Sequence, residues 1–141
     1  MNIEGVHILG TGVDLIETAR IQRSLDEFGE RFLDRCFWPD EVAYCNGMKF
    51  PALHFAARFA AKEAISKAFG TGIGHQLGWK DMEVRKRNSG EPYVLLHGKG
   101  AELAKNRGVT EVFVSLSHCR DYAAAHAVLV GQAPPSTRPS Q

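Results

Sequence analysis

Apolar and polar positions along this chain switch between strand-like and helix-like spacing. The stretch from Ile8 to Leu15, ILGTGVDL, is short, apolar and broken by glycine, which predicts a strand that stops at Asp14. From Thr18 to Phe28 the residues Ile21, Leu25 and Phe28 recur at helical spacing, and a second helical piece runs from about Glu30 to Phe37. Pro39 and Asp40 mark a turn into a short helix around Glu41 to Cys45, which Gly47 and Pro51 interrupt. Ala52 to Phe69, ALHFAARFAAKEAISKAF, is dense in strong helix formers and meets a natural C-terminal cap in Gly70. Beyond it the pattern predicts strands at Met82–Lys86, Pro92–His97, Val112–Leu116 and Ala123–Val130, a turn at Asn88–Ser89–Gly90, and a helix at Gly100–Asn106. The sum is an α+β domain in which a small antiparallel sheet packs on a long central helix.

On that helix, at about 100° per residue, Phe55, Phe59, Lys62, Ser66 and Phe69 share one stripe. The other side collects Ala56, Ala57, Ala60, Ala61, Ala64 and Ala68, small residues that let another element approach closely, with Glu63 at the seam. One reading makes this an ordinary amphipathic helix, with Lys62 snorkelling and Glu63 paired with Lys67 at i,i+4. The other brings Glu63 to Asp14 across the fold, since a strand ending in a carboxylate delivers it to a cleft.

Composition bounds these readings. With 141 residues, 44% hydrophobic and 23% charged, the chain has the balance of one globular domain. A formal net charge of +1 gives no overall field that favours nucleic acid or an anionic membrane, so any attraction to an acidic partner is local. Cys36, Cys45 and Cys119 are odd in number and widely spaced, which fits reduced thiols in the cytoplasm. The first ten residues carry Glu4 and lack the pattern of a secretory signal, and no window reaches the roughly 18 apolar residues of a membrane span. The final stretch 131–141, GQAPPSTRPSQ, holds three of the six prolines and is expected to be a disordered tail after a domain spanning 1–130.

Two converging carboxylates call for a cation. Magnesium is typically held by one or two protein carboxylates plus waters and substrate phosphates, so Asp14 and Glu63, with Arg58 and Lys62 nearby in the chain, suit a magnesium-bound diphosphate. The loop Gly70–Thr71–Gly72–Ile73–Gly74 either turns and caps the helix or presents backbone N–H groups to phosphate.

Taken together, GTGVDLIETARI from Gly10 and RFAAKEAISKAFGTGIG from Arg58 closely resemble the two signature blocks of the phosphopantetheinyl transferase superfamily. SGEPYV from Ser89 and VSLSHCRDYAAAHAVL from Val114 bring the likeness nearest to its short bacterial branch, and it covers roughly residues 8–130. The resemblance implies the fold of that superfamily and transfer of 4′-phosphopantetheine from coenzyme A to a serine of acyl carrier protein, supporting fatty acid biosynthesis. It implies Asp14 and Glu63 as magnesium ligands and Lys62 as a contact to the diphosphate. It implies that Arg58, Ser117 and His118 help hold coenzyme A, and that Ser89, Gly90 and Pro92 sit near its adenine. Short members of the superfamily assemble as trimers with active sites between neighbouring subunits, so a homotrimer is expected.

The serine hydroxyl must lose a proton, and Glu63 or a metal-bound water oriented by Asp14 or Glu63 is the expected acceptor. Arg20, Arg23, Arg31 and Arg35 recur at helical spacings near the N-terminus. They form either a solvated face paired with Glu17, Asp26, Glu27 and Asp34 or a row that docks an acidic carrier helix, and the resemblance favours docking. Two other readings stand beside transfer: a module that binds coenzyme A without catalysis, and a trimer whose acids hold a cation for stability alone.

Overall fold

The computed structural model describes residues 5–132. In chain order the elements are β1 (Val6–Glu17), α1 (Thr18–Phe28), α2 (Glu30–Cys36), α3 (Pro39–Asn46), α4 (Pro51–Phe69), a 3-10 turn at Trp79–Asp81, β2 (Met82–Lys86), β3 (Pro92–Leu96), α5 (Gly98–Asn106), β4 (Val109–His118) and β5 (Tyr122–Gln132).

The strands form two sheets where the sequence pattern suggested one. Strands β1, β5 and β4 lie side by side in that order, each pair antiparallel, while β2 and β3 make a separate hairpin. The strands of the first sheet outrun their apolar segments because pairing carries them on: β1 and β5 pair from Val6↔Gln132 to Glu17↔Tyr122, with a one-residue register shift between Ile8 and Gly10. The last strand thus ends at Gln132, two residues past the expected domain end, and the remainder of the predicted tail, 133–141, lies outside the described residues.

Helix α4 is the hub. It packs across all three strands of the sheet on one side and against α1, α3 and β2 on the others. Its alanines make this possible. Ala56, Ala57, Ala60, Ala61 and Ala64 are buried, and so are Phe55, Phe59, Ile65 and Phe69, so almost no face of the helix is left to solvent. At its end, Gly70 takes the left-handed conformation, with φ 78°, that an L side chain disfavours. The N–H groups of Gly70, Thr71 and Gly72 bond to the carbonyls of Lys67 and Ser66, so these three amides serve as the helix cap.

The face of the sheet turned away from α4 is apolar and exposed, with Ile8, Val13, Leu15, Phe113 and Tyr122 all open to solvent. On β5, Ala123, Ala125, Ala127 and Leu129 alternate inward to the core.

Candidate active site

Asp14 owes its position to two glycines. A methyl group added at Gly10 would fall 2.1 Å from the Ala68 carbonyl oxygen, and one at Gly12 would fall 2.0 Å from that of Ala64. Strand β1 therefore lies main chain to main chain on α4, a contact only glycine allows. Two residues on, the next inward side chain is Asp14. Its carboxylate accepts a hydrogen bond of 3.0 Å from Lys67 Nζ, which also donates to the Val13 carbonyl. Glu63 sits one turn before Lys67 on α4, with Ser66 Oγ donating to its carbonyl oxygen. Burial and the nearby Asp14 charge push the Glu63 carboxyl above the usual carboxylate range, against the pull of Lys67 and Arg20. The two acids thus act on each other, and Lys67 pairs with Asp14 across the strand–helix contact, not with Glu63 along the helix.

Lys62 does not join them. Its side chain is fully buried, its ammonium donates to Glu41 Oε1 at 2.8 Å and to the Cys36 carbonyl at 2.6 Å, and it lies over the Phe37 ring. Glu41 in turn accepts from the backbone N–H groups of Trp38 and Val84. Burial holds the Lys62 ammonium below the ordinary lysine range, and Glu41 opposes that shift. The expected diphosphate contact is therefore corrected: in this fold Lys62 ties α4 to α2, α3 and β2 inside the core. The lysine beside the acids is Lys67. Adjacent residues on a helix diverge by about 100°, whereas a residue four positions on returns to the same face, and that i,i+4 spacing was the signal available in the sequence.

The residues expected to hold coenzyme A gather on the other flank of α4. Arg58 precedes Glu63 by five residues, about 140° around the helix at about 100° per residue. It is 5% exposed and lies over the Tyr44 ring, with its Nε buried and unpartnered. His118 ends β4 and packs edge-on against His54, while Ser117 beside it is exposed and pairs with Ala124 of β5. The β2–β3 turn carries Ser89, Gly90 and Pro92. Gly90, at φ 98°, donates to the Arg87 carbonyl to close that turn, and Lys86 at the hairpin's base reaches Tyr44 Oη. The sequence reading missed Tyr44, His54 and Lys86. Only His54, four residues before Arg58, had a spacing that could have revealed it.

Arg20, Arg31 and Arg35 rim a groove of about 390 Å³ between α1 and α2, whose floor includes Phe28, Phe32, Phe59 and Trp79. Arg23 is exposed on α1 but does not line this groove. Arg20 connects the groove to the acids, because its charge is among those acting on Glu63. Cys36 lies at the groove's base, where burial pushes its thiol up to about 11, and burial likewise pushes Cys45 up to about 12. Both remain protonated and unreactive at neutral pH.

Among the described residues no group of three or more His, Cys, Asp or Glu side chains could hold a metal ion. Two carboxylates such as Asp14 and Glu63 would fit magnesium's use of one or two protein carboxylates and fall short of the oxygen cage calcium takes.

Residues 10–127 match the model of the 4′-phosphopantetheinyl transferase superfamily. The chain is 44% identical over 122 residues to the holo-[acyl-carrier-protein] synthase of Koribacter versatilis, covering 86% of this chain and 98% of that protein. In three dimensions it is similar to the holo-[acyl-carrier-protein] synthase of Neisseria meningitidis, with a TM-score of 0.81 and 30% identity over 87% of this chain and 98% of the other. It is also similar to the Helicobacter pylori enzyme of the same name in complex with coenzyme A, with a TM-score of 0.76 and 30% identity over 84% and 98% of the two chains. The glycine-seated Asp14, the Glu63 beside it and a match running through both signature blocks agree: this chain belongs to the 4′-phosphopantetheinyl transferase superfamily, within its holo-[acyl-carrier-protein] synthase family.

Proposed function

We propose that this chain transfers 4′-phosphopantetheine from coenzyme A to a serine of apo-acyl carrier protein. The observation that carries this reading is the meeting of Asp14, Glu63 and Lys67 beside an arginine-rimmed groove. The serine oxygen attacks the β-phosphorus of coenzyme A, a new O–P bond forms, the bond to the α-phosphate oxygen breaks, and adenosine 3′,5′-bisphosphate leaves. Such a transfer is governed by positioning and by neutralising charge. Asp14 and Glu63 are the residues that would hold magnesium, and the ion would supply positive charge to the diphosphate oxygens. Glu63, or a water that it or Asp14 orients, would accept the serine proton. Half of the Lys67 side-chain surface is exposed, and its ammonium is free to shift from Asp14 toward the negative charge growing on the leaving group.

The groove between α1 and α2 suits the carrier. Three guanidinium groups around an aromatic floor match an acidic helix that offers an apolar edge, and one of them, Arg20, also acts on Glu63. Arg23, outside the groove, adds to the field that steers the approach.

A shared site between copies of the chain, in a homotrimer, is supported by two features. The outer face of the sheet exposes Ile8, Val13, Leu15, Phe113 and Tyr122, an apolar patch of the kind that marks an interface. Moreover the acids and the Arg58–His118 cluster lie on opposite flanks of α4, so the two ends of one coenzyme A are best met by two protomers. Three unpaired cysteines favour the cytoplasm, where acyl carrier protein serves fatty acid biosynthesis. No helix among the described residues is long and apolar enough to cross a membrane.

The test is incubation of the protein with magnesium, coenzyme A and apo-carrier protein, followed by intact-mass analysis of the carrier. The expected result is a gain of one phosphopantetheine group. An unmodified carrier refutes the reading and leaves a coenzyme A-binding module in its place.

A further inference from the structure

A groove of about 400 Å³ separates the two sheets, with β3 along one wall and β4 along the other. Each of these strands is the last of its own sheet. β4 bonds to β5 and β3 bonds to β2, and among the described residues no backbone hydrogen bond spans the gap between them. Val94, Leu96, Ala104, Val109, Val112 and Val114 give the groove an apolar lining, and Tyr93 adds an aromatic ring. Open strand edges beside apolar side chains are a liability that native sheets cover with another piece of chain.

A segment of the chain leaves the sheet at the end of this groove. Strand β5 ends at Gln132, whose N–H donates to the Gly108 carbonyl, and Gly131 before it pairs with Val109, a residue of the groove wall. Residues 133–141, APPSTRPSQ, follow, beyond residue 127 where the match to the family model stops. Strands lie about 4.8 Å apart, so passing from β5 to the far side of β4 takes about 10 Å, the span of residues 133–135 at about 3.1–3.3 Å each. Residues 136–141 then reach about 19 Å, against about 17 Å for β4 from Val109 to Val114. We propose that the groove between β3 and β4 is the docking site of this chain's own residues 133–141, which lie extended along β4 with Arg138 beside Glu111.

The chemistry of the segment fits the groove. Arg138 is its one charged side chain. Glu111 is exposed on the groove wall and pairs with no cation among the described residues, while Arg87 on the other wall is already paired with Glu91 at 3.0 Å. With residue 136 abreast of Val109, a parallel course sets Arg138 abreast of Glu111, where opposite charges attract across neighbouring strands. Pro134, Pro135 and Pro139 hold the backbone extended, and segments of this kind dock on grooves that offer an aromatic ring, as Tyr93 does here. Ser136, Thr137, Arg138 and Ser140 keep N–H groups for the carbonyls of an open edge. A segment tethered this closely acts at about millimolar effective concentration, so an intrinsic affinity of about 0.1 mM fills the groove about ten to one. The inference is independent of the transferase reading.

The experiment follows amide hydrogen exchange in the full-length chain over residues 93–96 and 109–114, with residues 55–65 of α4 as the internal reference. Replacing residues 133–141 by a glycine–serine sequence of equal length should speed exchange in the two groove segments about tenfold and leave the reference unchanged. Arg138→Glu and Glu111→Arg should each speed it about two- to fivefold, the scale of one exposed ion pair, and the two substitutions combined in one chain should restore the protection. Unchanged exchange in the glycine–serine variant, or a double variant no better protected than either single one, overturns the proposal. Faster exchange that extends equally to α4 reports a loosened fold in place of an uncovered groove and overturns it as well. Protection regained on refolding the two single variants together places the segment on a neighbouring copy, which overturns docking within one chain.

Discussion

Replacing Lys62 by methionine separates a core role from a phosphate-binding one. The substitution keeps the length of the side chain and removes its charge, leaving Glu41 fully buried with only the Trp38 and Val84 N–H groups as partners. Breaking a buried pair from one side costs about 3–5 kcal/mol, because the remaining charge stays uncompensated. For a domain of this size about 1 kcal/mol corresponds to roughly 3–4 °C in Tm, so Lys62→Met should melt about 10–20 °C below wild type. Adding Glu41→Gln removes the stranded charge and keeps one acceptor oxygen. The double variant then lacks an acceptor for only one of the two N–H groups, a cost of about 1–3 kcal/mol, and should melt above the single variant. Thermal unfolding of the three proteins, with KM for coenzyme A measured well below each midpoint, decides the matter. A Lys62→Met protein with near-normal Tm and a KM raised tenfold or more, unaffected by the second substitution, would refute the reasoning and return Lys62 to the phosphates.

Three further expectations follow from named contacts. Glu63→Gln should lower turnover by about 10²–10³-fold, the scale of losing one electrostatic group in a transition state, with little change in the circular dichroism spectrum; a near-normal rate constant would remove Glu63 from the chemistry. Gly12→Ala would place a methyl group 2.0 Å from the Ala64 carbonyl oxygen and 2.8 Å from the Ala68 amide nitrogen. It should cost about 1–3 kcal/mol or more in a melting experiment, and lifting Asp14 by about 1 Å should cost about 10²-fold in turnover. For Glu83, burial pushes the carboxyl up, but hydrogen bonds from Arg85 and His97 outweigh it and hold the net value below the usual range. Such a group stabilises the fold above its unfolded pKa of about 4.5 and loses that effect as pH falls through the folded value. Glu83→Gln should therefore melt below wild type at pH 7, with the gap closing as the pH is lowered past about 4; a gap of constant size across that range would contradict it.

Helix bounds were the most legible part of the fold. Phe28 is followed by Gly29 and Phe69 by Gly70, both at positive φ, so the chain's own stops coincide with α1 and α4. Strand ends were less visible, since Val6, His7, Gly131 and Gln132 join the sheet through pairing with each other and not through an apolar pattern of their own. The split into two sheets is likewise a property of which strands meet, which residue type does not encode. At the site, the glycines before Asp14 and the alanines of α4 announced a close approach, and the approach is there. What could not be read was the rotation of α4 relative to its neighbours. That rotation buries Lys62, opens Lys67, and sends Arg58 to the flank opposite Glu63.

In the homotrimer proposed above, with α4 enclosed between strands and helices, each protomer would carry two half-sites facing different neighbours. A chain disabled at Asp14 and a chain disabled at Arg58, each inert alone, would then complement one another when refolded together, because a mixed ring restores at least one interface with both halves intact. Catalysis would also fade on dilution before the fold does.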